Sequence, residues 1–555
     1  MCGHSFQSES EGEKVLARPT RADEPIGVIE RCCYAAWISV IVAFAVLTAL
    51  HLRADFPNHS PWTFDWAKYT DEGWYGNAAI RAHLFGNWYV PGDFNPAAAL
   101  PVLPFLEWVL FFITGVTPQA ARGLDVAFFF ASLLLTYRLV RDKGTRWAGL
   151  MAVTLMVTSP FLYSFSRLAI LEPVLIAQML LVLNLAVRMP RMRRPLMSSA
   201  ALGLLFAVMI LTKTTAIFLI PAALWALALS LRQEQKPIFR YLFAAASTAV
   251  ASYGLWLLII ARLGLMADYR YLFFVNAYPK PKELYWPLIA AFWSFHGELW
   301  ADHVLMPLAV LVGLAAALAW ILRGRGLMAD PLFGASIAAS TGYLLFMTLQ
   351  NHPQPRYFTV VAVFSFIQLT RGMEVLVSKT ERGLYTHPKF ERVVGWAVLA
   401  ATVVAVSVNG VRTLHYAMHP SYTFVNAAQQ LTQYIDEHPN GNRQLMSVSG
   451  DEISLITHVP ALCDDFGTID LPARSARYMP GWYAAWNSLD PDTMADLHTH
   501  FSLEQVASFP AFDDADRNVL VLFKLHPLSG NRVRNYSDQV MTQPLPDDRI
   551  GVPVE

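Results

Sequence analysis

Charge is what this sequence has least of. Asp, Glu, Lys and Arg make up only 15% of its 555 residues, against 55% hydrophobic, whereas soluble domains carry about 25% charge. Much of the chain therefore belongs in lipid. Cysteine is scarce too: Cys2, Cys32, Cys33 and Cys463 are too few and too irregularly spaced for a disulfide framework or a zinc site. Adjacent Cys32 and Cys33 read as packing at a helix start, with palmitoylation the weaker alternative. Formal net charge is zero and there is no basic arm, which removes nucleic acid as a partner. Also missing are a Gly-rich phosphate loop, an internal repeat, and the inverted repeats with broken midplane helices that mark secondary transporters.

What is present is a succession of apolar runs, each near the roughly 20 residues a membrane-spanning helix needs. The polar stretch 1–33, with Lys14, Arg18, Arg21 and Arg31, lacks the short basic start of a cleaved signal peptide and reads as a cytoplasmic tail. The run at about 34–52 is the first span. It leaves 53–121 outside, a long loop rich in Trp, Tyr, Pro, Gly and Asn, as aromatic-anchored interfacial segments are. Within it, 101–116 is apolar but short. Were it to cross, Arg138, Arg141, Lys143 and Arg146 would all face outward, against the positive-inside bias, so it is expected to lie on the surface as a juxtamembrane helix. Later basic clusters then fall inside, and about eleven spans result within 34–412. From 413 to 555 the pattern is that of a small extracytoplasmic α/β domain, with a helix at 424–437 and buried strands at 445–448 and 519–525. No phosphate loop follows either strand, so no chemistry is expected of this domain.

The outer loop carries adjacent carboxylates, Asp71 and Glu72, in Thr70-Asp71-Glu72-Gly73-Trp74-Tyr75. Acids in a first helical turn serve capping and the helix dipole. A carboxylate at the mouth of a membrane cavity can equally take a proton from an acceptor hydroxyl, a role worth about 10²- to 10⁴-fold in rate. A second acid, Glu172, follows Ser166-Arg167 and precedes Pro173 at an outward turn. It either caps the next helix or faces Asp71 across the cavity, orienting the acceptor or coordinating a divalent metal. Arg122, Lys213, Arg270, Lys280, Lys282 and Arg356, with His352, form an outer basic set. Singly they read as snorkelling anchors; together they supply the fixed positive charge that a departing phosphate needs.

These segments resemble the GT-C superfamily of glycosyltransferases, and within it the dolichyl-phosphate-mannose protein mannosyltransferases and lipid A aminoarabinose transferases. The likeness rests on the Asp-Glu loop with Tyr75, on Gly86-Asn87-Trp88-Tyr89-Val90-Pro91, on Ser166-Arg167 with Leu171-Glu172-Pro173, and on Arg356-Tyr357. It implies a polytopic α-helical fold with a long first outer loop and a catalytic base at Asp71. It further implies a second acid at Glu172, Arg122 and Arg356 near a lipid phosphate, a polyprenyl-phosphate sugar as donor, and inversion at the sugar carbon. The expected activity is sugar transfer to a lipid, glycan or protein hydroxyl outside the cell membrane, a bacterial inner membrane rather than the endoplasmic reticulum. The aminoarabinose transferase carries Glu-Lys after the Phe matching Phe94; this chain has neither, and Glu172 stands where an Asp is usual. Two triplets fit glycosylation sequons, Asn58-His59-Ser60 and Asn535-Tyr536-Ser537. A polytopic lipid or sugar transporter is the alternative function.

Overall fold

The computed structural model describes residues 28–57, 65–275, 305–323, 326–349, 354–381, 388–512 and 517–528. The tail 1–27, both sequons, Lys280, Lys282 and His352 lie outside them. Among the described residues the membrane part is helical. Its helices are α1 (Val28–Ala49), α2 (Asp71–Phe85), α3 (Val102–Thr114), α4 (Pro118–Lys143), α5 (Arg146–Thr158), α6 (Pro160–Phe165), α7 (Leu171–Arg188) and α8 (Pro195–Thr212). They continue as α9 (Ile220–Gln233), α10 (Ile238–Arg262), α11 (Met266–Arg270), α12 (Leu305–Arg323), α13 (Pro331–Leu349), α14 (Phe358–Glu381) and α15 (Pro388–Met418). Among the described residues seven segments are long and apolar enough to cross a membrane: α1, α4, α7, α8, the α9 segment from Thr214, α10, and the α14 segment from Pro355. The remaining expected spans fall on α5, α12, α13 and α15, and seven rather than eleven meet that standard.

α7 and α14 form the buried centre of the bundle, while α1 and α10 lie at its rim. Phe239, Phe243, Val250, Leu255 and Leu258 of α10, and Ile38, Val42 and Val46 of α1, are exposed. So much uncovered apolar surface is stable only against lipid, and the chain is a multi-pass membrane protein. Ion pairs tie together one end of the bundle: Arg146 with Glu30, Arg188 with Asp142, Arg191 with Glu234 and Arg371 with Asp330. α7 runs from Glu172 at its start to Arg188 in its last turn, so Glu172 stands at the opposite end.

At that opposite end lie α2 and α3. With 13 residues, α3 is only about 20 Å long at 1.5 Å per residue, short of the roughly 30 Å hydrocarbon layer. It buries Leu103, Pro104, Glu107 and Phe111 and exposes Phe105, Val109, Phe112 and Ile113, the two-faced pattern of an interfacial helix. α2 begins at Asp71 because Asp71 and Glu72 fill its first turn. It stops at Gly86, whose φ of 77° needs no Cβ.

The C-terminal domain follows α15. Its helices are α16 (Thr423–Glu437), α17 (Gly450–Thr457), α18 (Leu471–Tyr478) and α19 (Pro491–His498). The strands β1 (Leu445–Met446), β2 (Ala461–Leu462), β3 (Trp482–Trp486), β4 (Phe501–Pro510) and β5 (Val519–Pro527) form one sheet in the order β2-β1-β3-β5-β4. β1 is parallel to β2 and β3, and β5 is antiparallel to β3 and β4. α16 lays Phe424, Ala428, Leu431 and Ile435 onto Trp482 and Trp486, a helical stripe closing one sheet face. The first outer loop is wedged between this domain and the bundle. At the seam, a Cβ on Gly73 would stand 2.1 Å from the Asp451 carbonyl carbon and the Glu452 nitrogen. Only glycine permits that approach.

Candidate active site

Four separate stretches of chain converge at the α2 end of the bundle. Arg356 lies in a short turn, 355–357, that opens α14, and its guanidinium bridges two carboxylates. Nη1 meets Asp65 Oδ1 at 2.6 Å and Nη2 meets Asp71 Oδ2 at 2.6 Å, while Nε lies 3.6 Å from Glu172 Oε1. The backbone fixes the arrangement: Arg356 N–H donates to Asp65 Oδ2 at 2.8 Å, and Trp66 N–H donates to Gln354 Oε1 at 3.3 Å. Lys213, between α8 and the following turn, is ion-paired with Glu172 Oε1, and its Nζ sits 4.5 Å from the centre of the Tyr357 ring. The cluster is buried: Asp71 is 1% exposed and Glu172 0%.

Burial pushes the Asp71 carboxyl up to about 6, against the pull of the Arg356 guanidinium beside it. Thr70 occupies the N-cap position of α2, but its side chain makes no capping bond. Its hydroxyl instead donates to Trp66 O at 3.0 Å, with Asp71 Oδ1 at 3.2 Å. Tyr75, one turn after Asp71 on α2, has its phenol pushed well above the ordinary range by burial and then by the charge of Asp71. Asp71, Glu172, Lys213, Arg356 and Tyr357 are thus in one cluster, with Tyr75 at its edge.

The other expected residues sit differently. Glu72 faces away from Arg356 and forms a two-pronged pair with Arg122, Nε to Oε1 at 2.7 Å and Nη2 to Oε2 at 2.5 Å. Arg122 Nη1 donates to the carbonyls of Leu52 and Ala54 at 2.9 and 2.6 Å, so all three of its nitrogens are engaged. Arg167 Nη2 donates to the carbonyls of Leu50 and His51 at 2.6 and 2.7 Å, and Nη1 to the Tyr163 hydroxyl. Both arginines therefore hold the end of α1 against the bundle. Arg270 is exposed at the end of α11, and among the described residues no ion pair joins it to the cluster.

Several buried charges escaped the reading of the sequence. Asp65 holds Arg356 as firmly as Asp71 does. The C-terminal domain inserts Asp451 and Glu452: Asp451 pairs with Arg81 at 3.1 Å and accepts from Asn77 at 3.2 Å, and Glu452 Oε2 accepts the Gly73 N–H at 2.8 Å. Arg81 also meets Asp93 at 2.6 Å, and Asp93 meets Arg474 at 3.3 Å. The available signal was the doublet Asp451-Glu452 after Gly450, a second copy of the Asp71-Glu72 pattern. Glu107 and Asp125 are buried with no hydrogen-bond partner on any carboxyl oxygen among the described residues, and burial pushes the Glu107 carboxyl well up. Asn95, in the segment where the resembling enzyme has Glu-Lys, spends its amide on Val90, Asp93 and Asp268. No group of three or more His, Cys, Asp or Glu side chains suited to a metal ion occurs among the described residues.

Residues 95–256 match the family described as dolichyl-phosphate-mannose-protein mannosyltransferase. The chain is similar to the crystal structure of ArnT from Cupriavidus metallidurans bound to undecaprenyl phosphate, with 14% identity and a TM-score of 0.53 over 88% of this chain and 98% of that one. The apo form of the same protein matches with 15% identity, a TM-score of 0.53 and the same coverage. AglB of Archaeoglobus fulgidus, an oligosaccharyltransferase, matches with 12% identity and a TM-score of 0.49 over 82% of this chain and 70% of that one. No curated protein matches the chain by sequence. With 88% of the chain covered at a TM-score of 0.53, this membrane protein has the GT-C fold.

Proposed function

We propose that the chain is an integral membrane glycosyltransferase that moves a sugar from a polyprenyl-phosphate carrier to an extracytoplasmic acceptor hydroxyl, with inversion. The observation that carries this is the buried cluster in which Asp71 and Glu172 both lie against Arg356 while Glu172 also pairs with Lys213. An acid able to take a proton and cations able to hold a phosphate stand side by side. Undecaprenyl phosphate is bound in the similar ArnT structure, which supports a carrier of that class here.

In this mechanism the donor phosphate draws Arg356 and Lys213 toward it, because a charge-assisted pair to phosphate competes with those they already make. Asp71 is thereby uncovered and takes the proton of the acceptor hydroxyl. The acceptor oxygen attacks the anomeric carbon from the face opposite the phosphate. The bond between that carbon and the phosphate oxygen breaks, and its electron pair leaves with the lipid phosphate, where the guanidinium and ammonium stabilise it. Glu172 holds Lys213 and Arg356 in register, and Tyr75 and Tyr357 line the approach. Arg122 and Glu72 act as a strut beneath α2. The basic residues paired at the far end of the bundle support placing that end in the cytoplasm by the positive-inside bias, with the cluster and the C-terminal domain outside, in a bacterial inner membrane.

The test is Asp71→Asn in the full-length protein, assayed with a panel of undecaprenyl-phosphate-linked radiolabelled pentoses and hexoses. Transfer by the wild type and its loss in the variant, with folding intact, is the expected result; near-normal turnover in the variant would falsify the base assignment.

A further inference from the structure

Glu452 of the C-terminal domain lies beside Glu72 at the seam: its carboxyl takes the N–H of Gly73, the next residue along the chain, and Glu72 acts on it. Glu72 already accepts three N–H donors, Nε and Nη2 of Arg122 at 2.7 and 2.5 Å and the Ala169 N–H at 2.8 Å. A carboxyl so surrounded by donors, two of them from a guanidinium, serves as an acceptor. Glu452 is 1% exposed. Its Oε2 accepts the Gly73 N–H at 2.8 Å, while Oε1 is buried with no donor directed at it. Two acceptors can make contact only through a proton, and Glu72 has no vacant need of one.

We propose that Glu452 is a positioning residue of the transfer reaction: as a neutral acid it donates its O–H from Oε1 to the Glu72 carboxylate while Oε2 takes the Gly73 N–H. These bonds clamp the first turn of α2 from the side of the C-terminal domain, and that turn carries Asp71. The proposal rests on the reading of Asp71 as the base. The charged groups facing Glu452 are Glu72 from α2 and Arg122 from α4. Asp55, beyond α1, acts on Arg122, and Asp451, on the same helix as Glu452, is turned to Arg81. From α16 the neighbour of α17 is Thr432, bonded to Thr457. Burial and the charge of Glu72 both favour the proton on Glu452. When rising pH removes it, two carboxylates face a single guanidinium, the clamp opens and the α2 turn shifts.

The experiment uses the full chain in lipid nanodiscs and compares wild type with Glu452→Gln and Glu452→Ala. Gln offers an N–H to Glu72 and a carbonyl to Gly73, so it keeps both bonds but cannot ionise. Transfer is measured against pH with the undecaprenyl-phosphate sugar panel, and Tm against pH in parallel. Ala is expected to lower kcat about tenfold or more, with donor KM within about twofold, because a displaced base weakens only the transition state. Gln restores most of that loss and abolishes the reversible fall that the wild type shows as pH rises through the folded pKa of Glu452. A Gln variant as slow as Ala, or one retaining the wild-type fall with rising pH, overturns the proposal. The Tm comparison does not depend on catalysis. A proton held more tightly in the folded state than in the unfolded one stabilises the fold, and that stability is lost as pH rises from the unfolded carboxyl range through the folded pKa, so wild-type Tm falls relative to Gln across that rise. Absence of that difference overturns the clamp; absence of transfer by the wild type, with the Tm difference present, overturns the transferase reading alone.

Discussion

Replacing Asp71 by Asn removes a proton acceptor without changing shape, and it separates catalysis from stability because the two effects have opposite signs. Loss of a positioned general base costs about 10²- to 10⁴-fold in rate, or about 2.7 to 5.4 kcal/mol of barrier at 1.36 kcal/mol per tenfold. The folding term runs the other way. Burial raises the Asp71 carboxyl from 3.8 to about 6, even with Arg356 opposing the rise. Between those pH values the folded protein keeps the proton and the unfolded chain has released it, so stability falls as pH climbs through that window. Above it the ionised carboxylate weighs against folding by about 3 kcal/mol, at about 1.4 kcal/mol per pH unit. Asn has no such slope, and Arg356 retains Asp65 as a partner. At pH 8 the variant should therefore melt no lower than the wild type while transferring at least about 100-fold more slowly. In the wild type, kcat/KM should rise with pH through about 6, since the base must be ionised. Differential scanning fluorimetry and the radiolabelled transfer assay read the two quantities on one preparation. A variant that loses activity only in proportion to a lowered Tm would refute the reasoning, since Asp71 would then be a structural acid.

Arg356→Lys keeps a positive charge but can no longer reach Asp65 and Asp71 with separate nitrogens. It should weaken binding of undecaprenyl phosphate, read as a smaller ligand-induced rise in Tm, and slow transfer by at least about tenfold; an undiminished rise would remove Arg356 from the phosphate. Glu72→Gln strands the Arg122 guanidinium in a dry site, which costs about 3 to 5 kcal/mol. Adding Arg122→Met should recover part of the lost Tm, because the two groups act as one unit, and strictly additive losses would argue against the strut. Gly73→Ala puts a methyl group 2.1 Å from the backbone of Asp451 and Glu452, where neither backbone can yield. The domain should then undock, seen as faster tryptic cleavage of the C-terminal region at unchanged pH; wild-type protease resistance would contradict the close seam.

The bundle was readable because lipid imposes long apolar runs and charge asymmetry, both local in sequence. Expected spans fall on helices, and α3 has the short, two-faced form assigned to a surface helix. Asp71, Glu172, Lys213 and Arg356 were legible as separate polar interruptions of apolar sequence near expected span ends. Their pairing was not. Arg122 and Arg356 look alike in sequence, each opening a span, yet one is spent on Glu72 and two carbonyls while the other bridges Asp65 and Asp71 beside Glu172. Which arginine meets which acid depends on how α2 is rotated. That rotation is set by Gly73 lying against Asp451 and Glu452, some 380 residues along the chain. The doublet Asp451-Glu452 was the one local sign of such a role, and nothing in its sequence neighbourhood ties it to α2.

The seam also explains why so many charges are buried where a few apolar side chains would pack more cheaply. Arg81, Asp93, Asp451 and Arg474 form a chain of pairs linking α2, the loop after it, α17 and α18. Replacing a buried ion pair by apolar residues often leaves a protein as stable or more so, so stability alone does not call for this network. What directional pairs add is register. An apolar seam would let α2 slide or roll by a fraction of a turn at little cost, whereas Arg81 can satisfy both Asp93 and Asp451 in only one rotation. That rotation turns Asp71 toward Arg356 and Glu72 toward Arg122, so the division of labour between the two adjacent acids is decided from the C-terminal domain.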